Sequence, residues 1–394
     1  MLRYLTADYI LPVSSKPIPE GVVAVDESGV IQKIGTRKDF SSVDLEQHWG
    51  VLLPGFINTH CHLELSHMQG LCPTGTGLIP FISTVVKLRE FEMEVILEHI
   101  RKQDKAMWDA GIQAVGDISN KSDTAATKLD SPISYYTFVE LFDMMQPAIT
   151  EATIANYRQV FTDQARGKGN EKSFVPHAPY SVTPALFDFI NKANPDTAIL
   201  SIHNTETAPE NELFQTGKGE FQDFYKSMGL SLDHFEPTGT NAIDYVLKNL
   251  QPKKRNLFVH NTLTTALDIH EAELWSDQVY WASCPNANLY IENNLPDYKL
   301  FLEAEAKMTL GTDSLMSNWQ LSIWEEVKTI KKYQSYVPLT DLIQWATFNG
   351  ADALGYGETM GSLEVGKSPG LVLIDCDWRG NDTDITQSHS TRIL

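Results

Sequence analysis

The chain has 394 residues, with 51 Asp and Glu against 31 Lys and Arg, for a formal charge of -20 and a sequence pI near 4.9. Nucleic-acid binders need a basic face to displace counterions, so this balance argues against a phosphate-backbone ligand. No apolar run approaches the ~20 residues of a membrane span, and Met1-Leu2-Arg3-Tyr4 leads into no signal-like segment. The expectation is a cytoplasmic protein that handles a small molecule, with neither nucleic acid nor membrane as partner.

From Tyr4 to about Leu53 the text reads as short strands and turns. Gly21 to Asp26 and Val30 to Gly35 flank a turn at Glu27-Ser28-Gly29. Residues 361–394 have the same flavour, with a strand expected from Gly370 to Asp375. Neither end could bury a core by itself, so residues 1–52 and 361–394 are predicted to join in one small β domain around a central unit of residues 53–360.

In that central unit short apolar runs alternate with longer amphipathic ones, the pattern of repeated βα units and a parallel sheet. Candidate strands are Val51 to Asn58, Gln113 to Ile118, Ser134 to Glu140, Ser173 to His177, Ala198 to His203, Leu257 to His260, Val279 to Ser283 and Met308 to Thr312. Eight such units make an α/β fold, a (β/α)8 barrel of the TIM type. Their polar C-terminal ends are His60 and His62, Asp117, Glu140, His177, His203, His260, Cys284-Pro285-Asn286 and Asp313. The C-terminal rim is where catalytic groups collect in such barrels. The four cysteines, Cys61, Cys72, Cys284 and Cys376, form no C-x-x-C pair, so neither a disulfide framework nor a thiolate zinc site is indicated.

His60 and His62 stand two residues apart at the end of an apolar strand, so both rings face one way and can reach one ion. Alone, a His-x-His pair is weak. Joined by His203 and Asp313 it makes three imidazoles and a carboxylate, a set suited to zinc or a similar divalent ion with one position left for water. Zinc lowers the pKa of bound water toward ~7, which would supply hydroxide at neutral pH. Asp313, in Leu310-Gly311-Thr312-Asp313-Ser314, would touch the metal and accept the water proton, although Gly-Thr-Asp-Ser read singly is an ordinary turn or helix cap. Glu206, in His203-Asn204-Thr205-Glu206, is placed to shuttle a proton to a ring nitrogen, or else to favour a helix dipole. His260, in Phe258-Val259-His260-Asn261, would orient hydroxide and stabilise a tetrahedral intermediate, with a satisfied core histidine as the plainer reading. His177 suits a substrate-contacting donor.

These residues resemble the amidohydrolase superfamily, and within it the branch of cytosine deaminases, chlorohydrolases and S-adenosylhomocysteine deaminases. The likeness is carried by Pro54 to His62, His177-Ala178-Pro179-Tyr180-Ser181, His203 to Glu206, Val259-His260-Asn261, Cys284 to Leu289, Gly311 to Ser314, and Ala353 through Gly370. It implies a (β/α)8 barrel with a composite β-sandwich from both termini. It carries metal ligation onto His60, His62, His203 and Asp313, proton transfer onto Glu206 and Asp313, and hydroxide orientation onto His260. Two-metal members place a carboxylated lysine or a carboxylate at the end of strand four. This chain has His177 there and Lys172 at the opposite end, so a single zinc or iron ion is predicted. Ala287 replaces a serine common in the branch. The same likeness leaves a homodimer open.

His62-Leu63-Glu64-Leu65-Ser66 looks more like deaminases of aminodeoxyfutalosine, an adenine nucleoside of the alternative menaquinone route, than like those of methylthioadenosine. Glu64 is then a candidate for a ribose hydroxyl or an imidazole N–H, against a rim glutamate facing solvent. No arginine lies between Arg166 and Arg255, which favours an uncharged nucleoside or base, and Arg89 is the candidate anchor if its helical segment folds over the mouth. The expected reaction is hydrolytic deamination of an amino-substituted nitrogen heterocycle. Cyclic-amide opening or triazine dechlorination on the same site, and a non-catalytic scaffold, are the alternatives.

Overall fold

In the computed structural model, which describes residues 1–164, 166–167 and 169–394, eight parallel strands succeed one another around a barrel. They are Phe56–Cys61, Ile112–Ser119, Ser134–Leu141, Glu171–Pro176, Ile199–Asn204, Arg255–His260, Val279–Ser283 and Met308–Leu310, here strands one to eight. Strands one to four pair side by side, as do five to eight. Two seams close the ring. Cys61 bridges to Asp313, and Asn58 and Thr312 exchange hydrogen bonds of 2.7 and 3.1 Å across the same seam. Between strands four and five, Ser173 Oγ donates to the Ile199 carbonyl at 2.6 Å and His203 N–H to the His177 carbonyl at 3.0 Å.

Strands one and five are buried at every residue, because a parallel sheet sheathed in helices has no solvated face and reads as continuous apolar sequence. The helices begin where local chemistry starts them. Thr183, followed by Pro184 at the first helical position, accepts from Leu186 N–H to open Pro184–Ala193. Thr265 and Asp268 form a capping box ahead of Ala266–Trp275.

The termini build two further sheets. Ile31–Thr36, Gly21–Val25, Arg3–Thr6 and Glu46–Gln47 form one. Ser390–Arg392, Leu371–Ile374, Val51–Pro54, Tyr9–Ile10 and Ile18–Pro19 form the other, so both ends of the chain share a sheet. Leu5, Ile10, Val23, Val25, Ile31, Leu52, Leu363 and Leu371 pack as their common core. One expectation is corrected here. The single strand expected from Val51 to Asn58 is two, since Val51–Pro54 pairs antiparallel with Leu371–Ile374 while Phe56–Cys61 joins the barrel. Gly55 separates them, and a Cβ there would lie 2.7 Å from the Pro369 carbonyl oxygen, so only glycine lets the chain pass. Among the described residues no helix is long and apolar enough to cross a membrane.

Candidate active site

The end of strand one turns the rings of His60 and His62 to one point, and His203 at strand five and Asp313 after strand eight meet them. His62 Nε2 lies 3.2 Å from His60 Nε2 and 3.4 Å from His203 Nε2. Asp313 Oδ1 lies 3.6 Å from His60 Nε2 and 3.4 Å from His62 Nε2. Four bonds of about 2.0–2.1 Å to a tetrahedral ion place neighbouring donors about 3.3 Å apart, so these separations fit one divalent cation. Imidazole nitrogens and a carboxylate oxygen converging on one point are the donor set that suits a zinc-like cation. His60, His62 and His203 form one such grouping, and His60, His260 and Asp313 form a second that shares His60.

Tertiary packing brings Asp313 to this point. Thr312 and Asp313 N–H both donate to the His60 carbonyl at 3.0 Å, and a Cβ on Gly311 would sit 2.8 Å from His60 Cβ. Asp313 Oδ2 accepts from Ser317 Oγ at 2.6 Å, which leaves Oδ1 for the cluster. Asp313, His260 and Thr205 have φ of 56°, 73° and 43°. Non-glycine residues in this region carry strain that concentrates at functional sites. His260 Nδ1 pairs with Asn288 Oδ1 at 2.8 Å, so its Nε2 is turned to Glu206 Oε2, 3.6 Å away. Glu206 and Thr205 N–H each donate to the Glu210 carboxyl at 3.0 Å, which fixes the turn that carries Glu206.

Burial dominates the electrostatics. It lowers all five imidazoles, His62 to about 3 and His177 to about 4, so they stay neutral with lone pairs available at neutral pH. Burial also acts to raise Asp313, but its contacts with His60, His62 and His260 outweigh it and hold that carboxyl well below the usual range. Glu206 goes the other way: burial first, then the Asp313 charge, pushes it well above an ordinary carboxyl. Two carboxyls facing one cavity are thus shifted in opposite directions, which is how a site divides base from acid at one pH.

The outer wall of the cavity is apolar. Leu78, Phe81, Ile82 and Val85 line it from the helix Leu78–Leu88 at the i, i+3, i+4, i+7 spacing of a single face. Phe142, Met144, Tyr180, Phe224 and Tyr225 complete the lining. Arg89 follows that helix and, among the described lysines and arginines, is the one that lines the cavity. Its Nη2 lies 3.3 Å from Glu64 Oε1. Glu64 is 3 % exposed and is absent from the lining: its Oε2 accepts from Asn120 and Lys121 N–H at 3.0 Å, so it grips Arg89 and the loop after strand two from behind. His177 does line the cavity, with Nδ1 at 2.7 Å from Ser181 Oγ. Lys172 sits at the far end of strand four and donates to the Gln164 carbonyl at 2.9 Å.

Several residues escaped the sequence reading. Asn288 orients His260, Ser317 orients Asp313, and Asn120 and Glu140 stand together on the cavity wall. Glu140 had a signal as the polar end of strand three, and Asn288 lay inside the block after strand seven. Ser317 and the apolar helix face had none, because serines and leucines at such spacing are ordinary turn and core residues.

An eight-stranded βα barrel that gathers three imidazoles and a carboxylate at its C-terminal rim, in a cavity with one apolar wall, defines the class of barrel hydrolases that work with a divalent ion. The amidohydrolase family model matches residues 51–391, and the chain belongs to the amidohydrolase family. It is 28 % identical over 381 residues to an aminodeoxyfutalosine deaminase of Nitratiruptor sp., covering 94 % of this chain and 89 % of that one. An adenosine deaminase of Helicobacter pylori is 26 % identical over 327 residues, covering 82 % and 78 %. The crystal structure of Helicobacter pylori aminofutalosine deaminase in complex with methylthio-coformycin superimposes with a TM-score of 0.80 over the whole of both chains, at 20 % identity, which shows a shared fold.

Proposed function

We propose that this protein is an aminohydrolase that replaces the exocyclic amino group of a nitrogen heterocycle by a carbonyl, with release of ammonia. The substrate class is a purine-type nucleoside or base, and aminodeoxyfutalosine, named for the Nitratiruptor relative, is the first compound to try. The observation that carries the reading is the placing of Glu206 Oε2 3.6 Å from His260 Nε2, both buried, beside the His60, His62, His203 and Asp313 cluster.

His60, His62, His203 and Asp313 would hold one divalent ion, zinc by their nitrogen and oxygen donors and iron as second candidate. Such an ion supplies a Lewis acid that lowers the pKa of water toward ~7. Asp313, kept ionised, takes the proton of the attacking water. Glu206, kept protonated, gives its proton to the ring nitrogen beside the attacked carbon, which makes that carbon electrophilic. His260 Nε2, left as an acceptor because Nδ1–H is given to Asn288 Oδ1, takes a hydrogen bond from the O–H of the incoming oxygen and orients it. Asp313 then passes the proton it took to the amino group, the carbon to amino-nitrogen bond breaks to release ammonia, the ring nitrogen keeps the proton it received, and the hydroxyl proton returns to Glu206 as the carbonyl forms. His177 contacts the ring, Arg89 anchors a substituent beyond it, and Glu64 acts through Arg89.

Purified protein loaded with zinc is challenged with aminodeoxyfutalosine, adenosine-type nucleosides, guanine, 8-oxoguanine and cytosine. Ammonia release with a product mass change of about +1 Da is expected from at least one. A gain of about 18 Da, one added water, marks ring opening instead, and no ammonia from the whole panel removes the reading.

A further inference from the structure

Glu140 ends in a pocket wall yet has no free face. It is 2 % exposed, and its Oε2 accepts from Asn120 Nδ2 at 3.0 Å. Its Oε1 is screened from water and has no hydrogen-bond partner, a costly state for a buried carboxyl oxygen. That oxygen lies 3.4 Å from His203 Nδ1. The same Nδ1 lies 2.7 Å from the His177 carbonyl oxygen, while Nε2 on the opposite edge of the ring faces His62. A neutral imidazole that offers Nε2 to a cation carries its proton on Nδ1. Nδ1–H therefore donates to the His177 carbonyl, with the unpartnered Glu140 carboxyl oxygen 3.4 Å to its side.

We infer that Glu140 is a positioning residue for His203: its carboxyl oxygen, set beside the Nδ1–H that the His177 carbonyl accepts, favours that tautomer and ring angle and makes Nε2 a stronger donor to the ion. The inference rests on the ion site of the proposed function. Asn120 aims the carboxyl, and Asn120 is itself tied through its backbone N–H to Glu64. Carboxylates placed behind a metal-binding imidazole act in this way.

Glu140→Gln is the sharp test. Asn120 Nδ2 keeps an acceptor in the amide oxygen, which turns the amide NH2 toward His203 Nδ1–H and sets two donors face to face. Zinc affinity, read by competition with a chromophoric chelator, is expected to fall roughly 10–100-fold, and the visible bands of the cobalt-loaded variant to shift. Asn120→Ala, at a half-buried loop position, frees the carboxyl and is expected to weaken zinc severalfold, so the test survives if Glu140→Gln does not fold. Zinc affinity within twofold of wild type, with unshifted cobalt bands, in whichever variant folds overturns the inference alone. Wild-type protein that takes up no stoichiometric ion overturns the ion site and this inference together.

Discussion

On the floor of the cavity His60, His62, His203, His260 and Asp313 stand at the ends of strands one, five, six and eight, and the side chains of His203, His260 and Asp313 are held by hydrogen bonds. The outer wall is the apolar face of Leu78–Leu88 with Phe142, Met144, Phe224 and Tyr225 from other segments. The floor is polar and buried, so small displacements cost chemistry. The wall is shaped by contact area, so changes there alter which molecule enters. A barrel can thus keep one reaction and change its substrate by redrawing a helix.

That contrast predicts a graded series of losses. Stripping the divalent ion with a chelator is expected to abolish ammonia release, and restoring zinc to recover it; activity that survives chelation would place the chemistry elsewhere. Glu206→Gln removes the proton donor and keeps the shape, so kcat is expected to drop roughly 10²–10⁴-fold, the usual worth of a positioned acid. On the wall, Arg89→Ala should raise KM about tenfold with little change in kcat, the pattern of lost uniform binding. A fall in kcat instead would mean that the wall takes part in the reaction and would blur the contrast.

Two stability measurements sharpen it further. Lys128 and Asp117 form a fully buried ion pair of 2.6 Å beneath the floor, and Asp117 also accepts from Leu63 N–H at 2.8 Å, just after His62. Lys128→Met strands that carboxylate and should cost about 3–5 kcal/mol of unfolding free energy in denaturant titration. Glu326 accepts from Asn286 and Asn318, and burial pushes its carboxyl up to about 8 despite those bonds. A folded-state value above the unfolded one means that its contribution is full below the ordinary carboxyl range near 4.5 and is lost as pH rises through 8. The stability of Glu326→Gln should therefore gain on wild type between pH 5 and about 8.5, and a gap that stays constant with pH would show Glu326 ionised throughout.

Much of the floor was legible in the chain because its chemistry is local. His60 and His62 share a strand face by the period of a strand, Glu206 follows His203 by three residues, and Asp313 ends an apolar run. Glu64 shows the limit. Its position after the His-x-His pair suggested the pocket, but two backbone N–H groups and Arg89 take its oxygens and turn it away.

The sequence by itself determined the alternation of βα units, the identity of the donor groups and their placement at strand ends, since periodicity and residue type act over a few residues. Tertiary structure alone decided that Val51–Pro54 leaves the barrel for the terminal sheet, that Asn288 and Ser317 aim His260 and Asp313, and that Leu78–Leu88 turns its apolar face to a cavity rather than a core. Those outcomes depend on what lies across space, and an apolar stripe or a lone serine carries the same local signature whichever neighbour the fold supplies.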